Sequence, residues 1–305
     1  MRRQYKKHSS NFRYWDQKAH AEGYMLFADN MGPYLSIDEV SLSKGELYTF
    51  VTNKTGKGKK KTLIASIKGT LSKDIIKVLE KLPLQDRKRV KEVTLDMAKN
   101  MEAAVKHSFP ESNLVTDRFH VVKLALDALQ HLRIKLRWNE LDVENQAIQQ
   151  ARENQEKYIS RILENGDTPK QLLARSRYII AKKPSTWTDN QKRRAAILFK
   201  EYPQLETAYQ HIMDFRNIYE NKNITRAKEM FTKWIKDTIE LGIKEFNTVA
   251  NSVQYHMDNI LNFFINRNTN ANAESFNAKI KLFRANLRGV TDTEFFLFRL
   301  QKLFA

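Results

Sequence analysis

The chain has 305 residues, of which 41% are hydrophobic, 53 are Lys or Arg and 35 are Asp or Glu, giving a formal net charge of +18. This apolar content is sufficient for a packed core, and the length predicts one large domain or two smaller ones. The positive charge predicts a polyanionic partner. No apolar run approaches the roughly 20 residues that a membrane-spanning helix needs, so we expect no membrane association.

The sequence contains no cysteine and seven histidines. The composition excludes disulfides, thiolate nucleophiles and thiolate zinc sites, and it leaves carboxylates and imidazoles as possible metal ligands. Hard cations are therefore the expected metals. Residues 1–32 begin with basic residues, MRRQYKK, but lack the apolar middle of a secretory signal. We interpret them as a basic N-terminal segment of a cytoplasmic protein.

Three short β-prone runs lie between residues 33 and 67, namely PYLSIDEVSL, ELYTFVTN and KKTLIASI. Their short connections favour an antiparallel meander, and the KTGKGKKK stretch at 54–61 is interpreted as a solvated hairpin turn. Two later runs, VKEVTLD (90–96) and NLVTD (113–117), are separated by helical patterns. We expect both to join the sheet in parallel through right-handed crossovers. The pattern predicts an α/β fold with a mixed five-stranded sheet and helices on its faces.

Beyond Trp138 the sequence changes character and becomes rich in Gln, Glu, Lys, Arg and Leu at helical spacing. The breaks NGDTP, KKPSTWTDN, YPQ and ENKNIT divide this part into about four or five expected helices, one of them capped by Thr188. We predict an all-helical insertion domain at 138–265. It would interrupt an α/β core formed by 33–137 and 266–305.

Three acids stand at positions where polar side chains are unusual: Asp38 in an apolar strand, Asp96 at the end of another, and Glu274 on a helix with an apolar stripe. Taken singly, such an Asp is more often a cap or turn residue, and such a Glu is usually solvated. If the first strand lies beside the fourth, however, Asp38 and Asp96 lie together at the carboxyl end of the sheet. Two carboxylates there would repel each other unless a cation lay between them. Glu39 should point to the opposite face.

Four segments resemble, in this order, the motifs of bacterial insertion-sequence transposases of the DDE type: IDEVSLSKGELYTFVTN, VTLDMAKNMEAAV, FPESNLVTDRFHVVK and TNANAESFNAKIKLFRANLRG. More narrowly, they resemble the group with a D-x-x-H motif after the second acid and a long all-helical insertion before the final Glu. The resemblance covers residues 33–300 or so. It implies a ribonuclease-H-like fold, cleavage at the ends of a mobile element, and strand transfer of the freed 3′-hydroxyl into target DNA.

By this resemblance the catalytic and metal-binding triad is Asp38, Asp96 and Glu274. Such a site holds two Mg²⁺ ions, for which Mn²⁺ can substitute, and they assist in-line attack on phosphorus. In the segment DRFH, Asp117 and His120 match the D-x-x-H motif. We expect Asp117 to cap the following helix and His120 to lie beside the scissile strand, and a direct catalytic part for His120 is left open.

A basic strip is predicted on the helix that carries Glu274, because positions 277, 281, 284 and 288 follow it at spacings of three and four. Cations beside a metal site indicate contacts with DNA phosphates, although a merely solvated basic face would show the same pattern. Asn270 is expected to support the site. The predicted DNA-contacting residues are Asn277, Lys281, Arg284, Arg288 and Arg118.

Related transposases begin with a zinc-binding or helix-turn-helix region that recognises the terminal repeats, and no such pattern precedes the first predicted strand. We expect a separate polypeptide to supply that region, or the region to be lost, and weak sequence specificity for this chain alone. A dimer on DNA is expected, because two ends must be brought together. Two alternatives stay open: a catalytically silent DNA-binding transposase remnant, and a ribonuclease-H-like nuclease without strand transfer.

Overall fold

The computed structural model describes residues 4–43, 45–267 and 269–305. Contacts within the chain define two units, an α/β unit formed by Met1–His120 with Asp258–Ala305 and a helical unit formed by Val121–Met257. No helix in the described ranges is both long enough and apolar enough to cross a membrane.

A mixed six-stranded sheet forms the centre of the α/β unit, with the strand order β1-β4-β3-β2-β5-β6. The meander of β2, β3 and β4 is antiparallel, and β5 and β6 join it in parallel beside β2, as the sequence predicts. The predicted number of five strands is wrong, because three further residues pair antiparallel with β4. The strands are β1 (Tyr24–Leu26), β2 (Tyr34–Ser43), β3 (Glu46–Asn53), β4 (Leu63–Lys68), β5 (Glu92–Leu95) and β6 (Asn113–Thr116).

Helices of the α/β unit follow the strands and close the chain. They are α1 (Ser72–Leu79), α2 (Leu84–Lys88), α3 (Lys99–Ser108), the first turn of α4 (Arg118–Glu153), α10 (Met257–Leu261), α11 (Phe263–Asn266), α12 (Ala271–Asn286) and α13 (Thr293–Phe304). This mixed α/β architecture is consistent with the ribonuclease-H-like fold that the resemblance implies.

Two hydrophobic cores lie on the two faces of the sheet and orient its polar residues. Ile37 belongs to the core that contains residues of α1 and α3, whereas Val40 packs in the core that contains Phe276 of α12. Because successive side chains of a strand alternate in direction, Asp38 shares the face of Val40. The core therefore places Asp38 on the face covered by α12, the helix that carries Glu274.

The predicted basic N-terminal segment is also packed into the core. Phe12 and Trp15 are buried, with ring centroids 5.1 Å from Phe295 and 5.5 Å from Phe298 of α13, respectively. Lys6 forms an ion pair with Asp292. These contacts join the start and the end of the described chain.

The helical unit, whose residues are all described, contains no strand. Its helices after α4 are α5 (Pro169–Arg175), α6 (Asp189–Glu201), α7 (Pro203–Ile218), α8 (Ile224–Leu241) and α9 (Lys244–Tyr255). The predicted breaks coincide with helix boundaries, and Thr188 caps α6 by accepting a hydrogen bond from the backbone N–H of Gln191. Aromatic contacts between α7 and α8 form the interior, where Phe215 lies 4.5 Å from Trp234 between ring centroids.

Candidate active site

Asp38 lies within β2, and Asp96 directly follows β5, the parallel strand beside it. Ser36 of β2 pairs with Thr94 of β5, and the same offset continued by two residues places Asp38 opposite Asp96. Residues opposite each other in a parallel pair direct their side chains to the same face. The sheet register thus brings together the two acids that the sequence singles out.

A third aspartate continues this row onto β6. Leu95 faces Thr116 in the β5–β6 pair, and the backbone N–H of Asp117 donates a 2.8 Å hydrogen bond to the carbonyl of Leu95. Asp96 and Asp117 are therefore neighbours across these strands. Three aspartates thus form a row across adjacent parallel strands: Asp38 lies within β2, whereas Asp96 and Asp117 directly follow β5 and β6. The sequence patterns alone do not specify this position for Asp117.

The crowding of acids changes the protonation of Asp38. Burial raises the pKa of Asp38, and the charges of Asp96 and Asp117 raise it further. A 2.8 Å hydrogen bond from the backbone N–H of Glu39 and the nearby His120 act in the opposite direction. The net effect is a carboxyl group whose ionised form is disfavoured unless a positive charge compensates it.

Glu274 lies in the first turn of α12, close enough to Asp38 and Asp117 for their charges to affect its pKa. Burial raises the pKa of Glu274, and so do the charges of Asp117 and Asp38, whereas His120 lowers it. The start of α12 is held by a 2.9 Å hydrogen bond from the N–H of Glu274 to the carbonyl of Asn270. The structure therefore brings Glu274 towards Asp38 and Asp117, although at least 156 residues separate it from either of them along the chain.

The D-x-x-H motif forms a compact pair beside the row of aspartates. Nδ1 of His120 lies 3.2 Å from Oδ2 of Asp117, and this contact raises the pKa of His120 although burial opposes it. Asp117 is 1% exposed, whereas His120 keeps 29% of its side chain exposed. His120 therefore presents an accessible ring whose protonated form is favoured by the buried acid. The predicted capping of α4 by Asp117 stays a prediction.

Asn277 provides a direct contact between α12 and β2. Its Nδ2 donates a 2.7 Å hydrogen bond to Oδ2 of Asp38, and its side chain is buried. The sequence predicts a DNA contact for Asn277, but the structure directs its amide to Asp38 instead. Asn277 is better placed to orient this carboxylate than to touch DNA.

A buried ion pair lies beside the aspartates and was missed by the sequence reasoning. Nζ of Lys54 lies 3.0 Å from Oε1 of Glu92, both side chains are less than 9% exposed, and Nζ also contacts the hydroxyl of Thr94. Burial lowers the pKa of Lys54, whereas Glu92 and Asp117 raise it. The interpretation of 54–61 as a solvated turn is therefore wrong at Lys54, whose position after an apolar strand gave no signal of burial.

Asparagines tie the segment that precedes Glu274 to the sheet. Because each amide bonds to a group on or beside a strand, together they fix where α12 begins. The sequence reasoning identified only Asn270 among the asparagines that precede Glu274. The bonds run from Asn262 Nδ2 to Leu114 O (2.8 Å), from Asn266 Nδ2 to Glu92 Oε2 (3.2 Å), from Asn270 N to Asp117 Oδ1 (3.3 Å) and from Asn272 Nδ2 to Lys54 O (3.2 Å).

Comparison with known proteins identifies the family. Residues 35–300 match the ISL3-type DDE family, which is described as "Transposase". The chain belongs to the DDE transposase family. This membership confirms the resemblance drawn from the four sequence motifs.

One curated transposase is similar to this DDE-family chain: the "Transposase for insertion sequence element IS1001" of Bordetella parapertussis, 24% identical over 278 residues. The aligned region covers 89% of this chain and 61% of that protein. The chain thus spans less than two thirds of the length of this relative. No solved structure matches the chain.

The predicted triad, Asp38, Asp96 and Glu274, consists of carboxylates, and carboxylate oxygens are the donors that divalent metals of the magnesium type prefer. Within the described part of the chain, no three His, Asp or Glu side chains converge closely enough to hold one ion. Burial and neighbouring acids raise the pKa values of Asp38 and Glu274, so a nearby cation would stabilise the ionised form of each carboxyl group. The residues present therefore fit divalent metals by donor type and by charge.

The predicted basic strip of the transposase is only partly helical. Lys281 is exposed on α12, and Nη1 of Arg284 donates a 2.9 Å hydrogen bond to the carbonyl of Ser41. The predicted alignment of Arg288 with Glu274 is wrong, because α12 ends at Asn286 and Arg288 has a φ of 56°.

Arg118, the remaining predicted DNA contact, begins α4 next to the D-x-x-H pair and is partly exposed. Its neighbour Phe119 is 54% exposed, and its ring centroid lies 5.6 Å from that of His120. Phe119 therefore lies outside the packed face of this helix.

Proposed function

We propose that the chain is the catalytic part of a DNA transposase that cleaves at the ends of an insertion sequence and joins the freed 3′-hydroxyl to target DNA. One observation carries the proposal: the parallel register of β2 and β5, continued by two residues, sets Asp38 level with Asp96, and α12 brings Glu274 within reach of the charge of Asp38. Membership of the DDE family narrows the chemistry to nucleic-acid processing. DNA is accordingly the proposed substrate, which agrees with the net charge of +18.

In this proposal Asp38, Asp96 and Glu274 hold two Mg²⁺ ions, with Mn²⁺ able to substitute. When bound, the ions supply activation of the attacking oxygen and stabilisation of the leaving oxygen. Asn277 fixes one oxygen of Asp38 and so sets the direction of its carboxylate. The buried Lys54–Glu92 pair and the asparagine bonds hold the segment that carries Glu274.

His120 is proposed to act on the DNA itself. Asp117 holds Nδ1 and leaves Nε2 as the ring nitrogen available to a phosphate oxygen. Because the pKa of His120 is raised, the ring carries a positive charge over a wider range of pH than an unperturbed imidazole. It can donate a hydrogen bond to the scissile phosphate or a proton to the departing oxygen.

Further expectations complete the proposal. The helical unit corresponds to the family's all-helical insertion domain, and Arg118, Lys281, Arg284 and Arg288 contribute to DNA contact. Two copies of the chain act together on the two ends of the insertion sequence. Recognition of the terminal repeats comes from a separate polypeptide or region. The transposase relative is longer than the part that aligns with this chain, so the activity of the chain by itself is part of the test.

The test incubates the purified chain with Mg²⁺, a pre-cut duplex taken from the DNA that flanks its coding sequence, and a supercoiled plasmid. Joined products are expected. Nicked plasmid without joining supports the nuclease alternative, and neither product supports the silent remnant. Asp96→Asn should abolish joining without weakening DNA binding, and joining retained by that variant removes Asp96 from the site.

A further inference from the structure

Arg133 lies near two other arginines of the helical unit, Arg137 and Arg177, and Gln130 connects its side chain to the backbone of Arg177. Arg133 and Arg137 are one turn apart on α4, and Arg177 follows α5. Oε1 of Gln130 accepts a 2.8 Å hydrogen bond from Nε of Arg133, and its Nε2 donates a 2.7 Å hydrogen bond to the carbonyl of Arg177. Nη1 of Arg133 donates a further 2.8 Å hydrogen bond to the carbonyl of Leu173. These bonds fix the guanidinium of Arg133 between α4 and the end of α5.

No acid compensates this cluster of positive charge. Arg133 is 6% exposed, and burial together with the charges of Arg177 and Arg137 lowers its pKa. Within the helical unit as described, no carboxylate lies at ion-pair distance from any of the three guanidinium groups. The folded unit therefore holds three guanidinium groups near one another without a carboxylate, and this arrangement is unfavourable unless an anion binds there.

One polar atom of the cluster also lacks a partner. Nε of Arg137 is buried and has no hydrogen-bond acceptor among the residues that the structure describes. A buried N–H group of a charged side chain without an acceptor is strongly unfavourable. The planar donor fork of arginine matches the oxygens of a phosphate, which would supply both the missing acceptor and the missing negative charge.

The surroundings favour a nucleic acid over a small anion. Trp138 follows Arg137 and is 58% exposed, and Tyr178 follows Arg177 and is 68% exposed. The guanidinium of Arg177 lies 5.5 Å from the centre of the Tyr178 ring. Exposed aromatic rings interleaved with cations are typical of surfaces on which bases stack while the cations hold the backbone.

We propose that Arg133, Arg137 and Arg177 form a phosphate-binding site on the helical unit that holds the backbone of DNA, with Trp138 and Tyr178 as adjoining stacking surfaces. This proposal depends on the proposed function in one respect, namely that the polyanion bound is DNA. It needs neither a metal ion nor the triad of the α/β unit, so its DNA contact is separable from catalysis.

The test measures binding of the full chain to a short fluorescein-labelled DNA duplex by anisotropy, in EDTA and over a series of salt concentrations. Arg137→Gln and Arg177→Gln should each weaken binding about fivefold to tenfold, because each removes one phosphate contact. Each should also reduce the slope of log affinity against log salt by about one. Arg137→Lys should keep the slope, because it keeps the charge.

The matched control is Arg152→Gln, which removes an exposed arginine from the same helix outside the cluster. It should leave both affinity and slope near the wild-type values. Thermal unfolding separates binding from packing: because the glutamine variants relieve repulsion between like charges, their midpoints should equal or exceed that of the wild type. A lower midpoint with unchanged DNA binding would show that the arginines serve packing.

The proposal is overturned if folded Arg137→Gln and Arg177→Gln bind DNA as Arg152→Gln does, or if their loss appears with an RNA duplex and not with DNA. The outcome is independent of the joining assay, since binding is measured without metal. Joining absent while arginine-dependent binding persists would refute the proposed function and leave this site standing. Joining present with arginine-independent binding would do the reverse.

Discussion

Nδ2 of Asn277 lies 2.7 Å from Oδ2 of Asp38, and this hydrogen bond connects α12 to the middle of β2. Glu274 lies one turn earlier on the same helix, so this hydrogen bond orients Asp38 and also holds α12, which carries Glu274, against β2. Oδ1 of Asn277 is buried and has no hydrogen-bond partner among the described residues. The carboxylate of Asp38 is therefore the contact that orients this amide.

Asn277→Ala should slow the joining reaction about tenfold to a hundredfold, because a hydrogen bond to an ionised group contributes about 1.5–3 kcal/mol. DNA affinity should change little. Single-turnover joining with pre-cut ends and anisotropy binding in EDTA provide the two measurements. Ser275→Ala, at an exposed position on the same helix, is the control and should behave as wild type. An equal loss of affinity and joining would show instead that Asn277 contacts DNA, as its sequence position suggests.

Mg²⁺ should raise the thermal unfolding midpoint of the wild-type chain, because a ligand that binds only the folded state stabilises it. The increase should disappear in Asp38→Asn and in Glu274→Gln. In metal-free buffer at neutral pH, Asp38→Asn should itself unfold at a higher temperature than wild type, since the pKa of Asp38 is raised by burial and by neighbouring acids.

The control for this measurement is Asp29→Asn, which removes an exposed acid from the same unit. It should keep the full Mg²⁺-dependent increase. Equal increases in all four proteins would mean that the ion binds elsewhere, and the assignment of Asp38 and Glu274 as ligands would then fail.

The Lys54–Glu92 pair should be essential to the stability of the α/β unit. Lys54→Met should lower the free energy of unfolding by about 3–5 kcal/mol, because it leaves the Glu92 carboxylate buried without its cation. The double variant Lys54→Met/Glu92→Met should recover most of this loss, since neither charge then remains. Urea unfolding measures all three proteins, and a double variant less stable than Lys54→Met would contradict the argument.

Strands and helices with a repeated pattern of apolar and polar residues could be predicted from the sequence. The run ELYTFVTN coincides with β3 (Glu46–Asn53), and Thr188 caps α6, because local preference and packing agree at these places. The three-residue β1 was not readable, since so short a strand forms only through its pairing with β4. The burial of Phe12 and Trp15 likewise depends on α13, which lies at the far end of the chain.

The candidate site shows the same division between local and long-range information. Asp38 and Asp96 were predicted as site residues because each acid lies in or directly after an apolar strand. The position of Asp117 beside Asp96, in contrast, depends on the register between β5 and β6. Arg288 fits the helical spacing, yet the helix ends before it because a short turn containing Gly289 at a φ of 99° follows. Lys54 is buried against Glu92 of β5, and this contact between distant residues cannot be predicted from the spacing of residues in the sequence.

The helical unit should lose stability as the pH falls below neutrality, because of His211. Its ring stacks on Trp234 with centroids 4.7 Å apart, and its Nε2 lies 2.7 Å from Oγ1 of Thr238. Burial lowers the pKa of His211 and Lys233 acts in the same direction, whereas Asp237 and Asp214 oppose them. The folded chain therefore favours the neutral ring.

In the unfolded chain His211 binds a proton as the pH falls through about 6.5, whereas in the folded chain it resists protonation until a lower pH. The unfolded state then binds more protons, so the free energy of unfolding decreases with falling pH in this window. Urea unfolding followed by circular dichroism between pH 7.5 and about pH 5, above the range where unperturbed carboxylates titrate, should show this decrease. His211→Gln should flatten the curve, whereas His131→Gln, at an exposed position in the same unit, should not. Parallel curves for wild type and His211→Gln would assign the pH dependence to other groups.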